Sequence, residues 1–200
     1  MLSLEDSLKA LLTLQPEYRI LLDPNSTDEE FDDAIEYLIN DAVRWLEDNA
    51  NSLAEDSEDS LSTTLAGRIS SGKLVSVTRE TNNKGHVDIT ITVISSPRKR
   101  LGEAKIYKGF SYHQKGLEQL IDRYSTGRER SGYIFSYVKD QDIQGKFSKL
   151  QRDCDQARPC RQSGNATTNH CDWSFITMHQ HASGKELRVV HYGVNLHVVK

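Results

Sequence analysis

The sequence predicts a mixed α/β fold, a central β-sheet flanked by helices. Three observations predict it. The hydrophobic period is helical up to Ser71-Gly72 and becomes alternating from Leu74 onward. One further helical stretch, residues 112–124, then lies between strand-like runs, the order of a sheet with helices on it. The chain has 200 residues, 36% of them hydrophobic, enough to bury a core without disulfide or metal staples.

The elements follow in order. Residues 3–14 read as a short helix, with Ser3 and Asp6 at capping-box spacing. Asp23-Pro24-Asn25 makes a turn. Thr27 and Glu30 form a capping-box pair, and Phe31, Ile35, Leu38, Ala42 and Leu46 recur at helical spacing, so a helix is expected over 28–48. A third helix is expected over 57–70 through Leu61, Leu65 and Ile69, stopped by Ser71-Gly72. Leu74, Val75 and Val77 begin a strand. Over 86–95, Val87, Ile89, Ile91 and Val93 alternate with Asp88, Thr90, Thr92 and Ile94. A basic turn, residues 95–100, precedes a strand over 101–107. The 112–124 helix packs through Leu117, Leu120, Ile121 and Tyr124, and 133–138 is β-branched and aromatic. Residues 140–170 are polar, with a helical hint at 147–152; three strand-like runs, 174–178, 187–192 and 195–199, close the chain.

Composition excludes several classes. No apolar run reaches the ~18 residues of a membrane span. The start carries Glu5 and Asp6 and no basic region before a cleavage site, so it does not read as a secretory signal. Three cysteines, sparse and odd in number, argue against a disulfide scaffold and for a reducing, cytoplasmic setting. The net charge of -4 hides an asymmetry: residues 1–60 hold 17 acids against 3 bases, residues 61–200 hold 12 acids against 22 bases. A polyanion would meet the basic body, and the acidic helical front, residues 1–52, is a candidate surface for a regulatory partner.

One constellation carries chemistry. Asp88 lies in one strand, and Glu103-Ala104-Lys105 lies in the next, with fourteen residues between Asp88 and Glu103. Alternation puts Glu103 and Lys105 on one face and Ala104 on the other. Adjacent strands bring Asp88 and Glu103 close, and paired carboxylates repel unless a cation lies between them. Oxygen ligands of this kind suit Mg²⁺ or Mn²⁺. Lys105 beside them can orient an attacking water or steady negative charge. Glu58 precedes Leu61 by three and Leu65 by seven, which extends the buried stripe and makes it the third acid; a register shift would promote Glu55 or Asp59 instead.

These residues resemble the restriction-endonuclease-like, or PD-(D/E)XK, nuclease superfamily: a helix acid (Glu58), a strand Asp in Gly85-His86-Val87-Asp88-Ile89, then Glu-x-Lys in Gly102-Glu103-Ala104-Lys105, then a helix bearing Gln114 and Gln119. The likeness covers residues 55–138, with Val87 in place of the family's proline, and the 179–196 tail looks like the end of small bacterial defence-type nucleases. It implies a restriction-endonuclease-like core over 53–200 and metal-dependent hydrolysis of a phosphodiester, by a DNA endonuclease of bacterial anti-phage or restriction type. Glu58, Asp88, Glu103 and the Ala104 carbonyl would hold one or two Mg²⁺ or Mn²⁺ ions. Lys105 would position the nucleophile, and Gln119 would bond near the site or to the nucleic acid, with Gln114 its rival. Two cuts on a duplex imply a homodimer.

Arg98, Lys99, Arg100, Lys108, Lys115 and Arg123, with Arg128 and Arg130, are candidate phosphate contacts. Cys154, Cys160, His170 and Cys171 lack knuckle spacing for zinc, so free thiols are expected. His179 and His191 read as strand histidines that line either the core or the cleft. The alternative to an enzyme is a non-catalytic nucleic-acid-binding or assembly module that keeps the nuclease fold.

Overall fold

The computed structural model describes residues 3, 5, 6, 9, 13, 16–72, 74–79, 81–82, 86–94 and 96–199. The helix expected over 3–14 lies largely outside them. Helix α1 (Glu17–Leu22) turns at Asp23 into α2 (Asp28–Asp48). The Thr27 side chain accepts the Glu30 N–H while the Glu30 carboxylate accepts the Thr27 N–H, closing the capping box (3.1 and 2.8 Å). A one-turn helix α3 (Ala50–Leu53) leads to α4 (Glu58–Ile69), whose N-cap is Ser57.

A seven-stranded mixed sheet follows. Its strands are β1 (Val75–Thr78), β4 (Ile89–Val93), β5 (Lys99–Ile106), β6 (Ser131–Val138), β7 (Gln162–Thr168), β8 (Ser174–Gln180) and β9 (Glu186–Asn195), in the spatial order β1-β4-β5-β6-β9-β8-β7. A separate two-stranded ribbon, β2 (Thr81–Asn82) with β3 (His86–Val87), lies between β1 and β4 in the chain. The central pairs β5–β6 and β6–β9 are parallel, and the outer pairs are antiparallel. Parallel neighbours need a crossover, which α5 (Phe110–Glu118) supplies between β5 and β6, and α6 (Ile143–Ala157) begins the excursion from β6 to the far edge.

Each face of the sheet has its own helical cover. On one face, Phe31, Ile35, Ile39 and Leu46 of α2 and Leu61 and Leu65 of α4 share a core with Ile89, Ile91, Ala104, Tyr133, Phe135 and Tyr192. Each fully buried aliphatic side chain there contributes roughly 1.5–3 kcal/mol. On the other face, Leu117, Leu120 and Ile121 pack on Leu101, Ile134 and Val189, and Phe147 and Leu150 of α6 pack with Val138 and Phe175. Buried ion pairs tie α2 to the sheet: Asp32 accepts Arg100 Nε (2.6 Å) and the Ser131 hydroxyl, Glu36 pairs with Arg188, and Glu47 accepts the Asn195 N–H (2.9 Å). The acidic front is therefore layered onto the same core as the sheet.

Several elements depart from the sequence expectation. The 86–95 strand is broken at Asp88, so Val87 packs with Leu117 and Leu120 while Ile89, Ile91 and Val93 face α2 and α4. The cause is a change of partner: β3 pairs with β2, whereas β4 pairs with β1 and β5. Lys99 and Arg100 belong to β5 rather than to a turn, because Arg100 is drawn onto Asp32. The helical hint at 147–152 extends to a fifteen-residue helix, and the polar segment also holds strand β7. The run expected at 187–192 lies within β9, which pairs in parallel with β6 from Arg188 to Asn195, whereas the run expected at 195–199 is not a strand beyond Asn195.

Candidate active site

The site is built at the end of β5. Strand alternation sends Ala104 into the core with α2, while Glu103 and Lys105 point to the face under α5. There they meet Gly116, where an added Cβ would stand 3.3 Å from Glu103 Cγ and 3.4 Å from Lys105 Cγ. A glycine lets the helix approach the strand this closely.

Three carboxylates from three elements surround one ammonium. Lys105 Nζ lies 2.7 Å from Glu103 Oε1, 3.4 Å from Glu58 Oε1 and 3.6 Å from Asp88 Oδ2. Glu58 opens α4, where the helix dipole favours an acid, and its other oxygen accepts the Ile106 N–H (2.8 Å). Asp88 stands at the break between β3 and β4 and accepts the Ala104 N–H (3.1 Å). These two backbone bonds fix both carboxylates against β5. The neighbouring Asp59 turns away to Arg79 (3.2 Å).

Glu103 is fully buried, and no hydrogen-bond donor reaches its Oε2. Burial, followed by the charge of Asp88, pushes its pKa up to about 8 in spite of the lysine beside it. Burial alone would pull Lys105 down, but Glu103, Asp88 and Glu58 together carry it above its ordinary value, so the ammonium keeps its proton at neutral pH. Three acids face one base, and one buried carboxylate oxygen lacks a donor; in charge and donor type this suits a hard divalent cation. Among the described residues no three His, Cys, Asp or Glu side chains are grouped as cation ligands; Lys105 stands among the acids.

Helix α5 runs on into a π-helical turn, Gln119–Tyr124. Such turns are rare and recur at functional sites. The wider register brings residues five apart together: Gln119 Nε2 donates to Tyr124 Oη (3.3 Å). Tyr124 is buried, and burial, then the charges of Glu103 and Asp88, raises its pKa. Gln114 instead donates to Glu118 (2.9 Å). Sequence reasoning counted Tyr124 only as packing and passed over Gly116, although a glycine inside an amphipathic helix was a visible signal of close approach.

The basic residues divide into two groups. Lys108, Lys115 and Arg123 are exposed on or beside α5, with Lys108 Nζ 5.3 Å from the Tyr112 ring centroid. Lys115 and Arg123 line a cleft of about 530 Å³ together with Gln119. Arg98, Lys99 and Arg100 lie at the opposite end of β5, about 20 Å from Lys105 at the usual strand rise. Arg98 donates to Ser26 O (3.0 Å), and Arg100 is buried on Asp32. The structure thus brings Glu58, Asp88, Glu103 and Lys105 together and sets Arg98, Lys99 and Arg100 apart from them.

The cysteines are free, with Cys154 and Cys171 buried. His179 and His191 are fully buried and join His113 in a chain of contacts: Ser136 Oγ–His113 (3.0 Å), His113–His191 (2.8 Å), His191–Thr177 Oγ1 (2.7 Å) and Thr177 Oγ1–His179 (2.7 Å). Among the described residues no helix is long and apolar enough to cross a membrane. No protein-family model, curated protein or solved structure matches the chain.

Proposed function

We propose that the chain is a metal-dependent nuclease with a restriction-endonuclease-like core, hydrolysing phosphodiester bonds in DNA. The observation that carries this reading is the convergence of Glu58, Asp88 and Glu103, from a helix, a strand break and a strand, on Lys105 Nζ within 3.6 Å. Glu58, Asp88 and Glu103, with the Ala104 carbonyl, would hold a Mg²⁺ or Mn²⁺ ion. When bound, such an ion supplies Lewis-acid activation of water and neutralisation of charge at phosphorus. The chain's own residues do the rest. Lys105, held as ammonium, is a donor for the phosphoryl oxygens and is unsuited to act as a base. The Ile106 and Ala104 N–H groups keep Glu58 and Asp88 in place. Tyr124 lies near enough to feel the charges of Glu103 and Asp88 and accepts a hydrogen bond from Gln119, and Lys108, Lys115 and Arg123 offer charge to a nucleic-acid backbone, making affinity salt-dependent. Cutting both strands of a duplex together would call for two copies, and a role in bacterial defence remains the one the motif resemblance implies.

Cleavage of plasmid DNA with Mg²⁺ or Mn²⁺ tests the reading. Activity is expected to fall on the order of 100-fold or more in Glu103→Ala and in Lys105→Ala, each checked for folding by circular dichroism. Undiminished cleavage in both variants removes the assignment.

A second reading has one observation in its favour. The Lys105 ammonium already stands among all three acids, in the place a cation would take, which suits a nucleic-acid-binding module that keeps the fold without catalysis. A calorimetric titration with Mn²⁺ separates the two: no heat, with DNA still bound, selects this second reading.

A further inference from the structure

A cleft of about 550 Å³ opens at the start of β5, at the other end of the strand from Lys105. Three segments wall it: Asp28 at the head of α2, the stretch from Pro97 to Arg100, and the loop from Thr126 to Arg130. Five cationic side chains line it (Arg98, Lys99, Arg100, Arg128 and Arg130) against two carboxylates, Asp28 and Glu129. Asp32 and Glu29 also engage Arg100 and Arg130, and Lys99 pairs with Glu129 at 3.3 Å. The surplus then rests on Arg128, which is exposed and has no ion-pair partner among the described residues.

A second observation points to an anion. Arg100 is 2% exposed, and its Nη2 is buried without a hydrogen bond, 3.7 Å from Asp28 Oδ1. Buried guanidinium donors ordinarily find close acceptors, and this one has only its long ion pair with Asp28, so an anion among these cations would be favoured. Two of the guanidinium groups, those of Arg98 and Arg100, are also pre-set. Arg98 donates to Ser26 O (3.0 Å) and to Ser26 Oγ (2.9 Å), with its guanidinium 4.3 Å from the Phe31 ring centroid. For these two, little side-chain entropy remains to be lost on binding.

We infer that this cleft is a binding site for a small phosphate-bearing molecule of about mononucleotide size, separate from the acid cluster. Its volume lies within the range of small-molecule pockets. A duplex backbone is the poorer fit, since it tracks an open row of mobile cations, whereas these converge in a concavity and two are held from behind. The inference does not rest on the nuclease reading and survives its failure.

Titration calorimetry on the full chain in EDTA, with ATP and then inorganic phosphate as probes, tests it. The chelator keeps any metal-bridged binding at the acid cluster out of the signal. Saturable binding of ATP is expected, weakened about tenfold or more in Arg128→Glu. Arg128 holds nothing together, so that variant is expected to melt with the wild type; Arg130→Glu gives an independent second lesion. Lys115→Glu, in the cleft beside α5, is expected to leave the affinity unchanged. Three results would overturn the inference: no saturable binding of either probe, equal affinity in both arginine variants, or displacement of ATP by a short DNA duplex.

Discussion

Lys105 is the residue on which the acid cluster depends. Removing its ammonium leaves Glu103, Asp88 and Glu58 facing one another in a mostly buried place. Lys105→Met should therefore lower stability by roughly 3 kcal/mol, read from urea melts. Glu103→Gln should act in the opposite direction in metal-free buffer. The Glu103 pKa is raised, so the fold binds a proton that the unfolded chain has released, and the stability this adds is lost as pH rises from about 4.5 toward 8. A neutral amide removes that loss, and the variant's stability should be flatter across this range; melts at several pH values in EDTA check it. The four residues of the cluster were legible in the sequence, because a period of two places Glu103 and Lys105 on one face and helical spacing aligns Glu58 with Leu61 and Leu65. Arg98 and Arg100 were not. Their partners, Ser26 and Asp32, are some seventy residues away, beyond any local pattern.

At the scale of elements, those with strong caps or clean alternation could be read directly. Helix α2 spans the residues its capping box and apolar stripe mark out. Strand β7 could not be read, since Gln162–Thr168 is polar and mostly exposed at the sheet edge and lacks the apolar alternation that identifies a strand. The π-turn after α5 was equally hidden, because one added residue per turn leaves no mark on a six-residue stretch. The histidine chain joining α5, β8 and β9 yields a prediction at this scale. Burial lowers His113 and His179 to about 4 and depresses His191 as well. The folded chain keeps them neutral, so their contribution is full above the unfolded value near 6.5 and is lost as pH falls toward 4. Stability should drop between pH 7 and 5 by on the order of 2 kcal/mol for each histidine that stays neutral, and His113→Asn should flatten that drop. Thermal melts across the range decide it, and a wild-type melt insensitive to pH would contradict the assignment.

Over the whole molecule, the charge asymmetry of the sequence suggested an acidic front set apart from a basic body, yet α2 lies on the sheet and shares its core. The sequence could not show this, because a helix stripe says that a face is buried but not what buries it. Deleting residues 1–50 should consequently unfold the chain rather than trim it, with loss of the cooperative melt as the readout. Arg100→Met, which strands Asp32 beneath α2, should cost about 3 kcal/mol. The single strand β5 links the ends of this architecture: its first residues are clamped by the helical layer and its last residues carry the acids and the lysine. In a random mutational screen for lost folding, damaging changes would then map to the inner surface of α2 as well as to the acid cluster, at positions such as Asp32 and Glu36 that lie far from it.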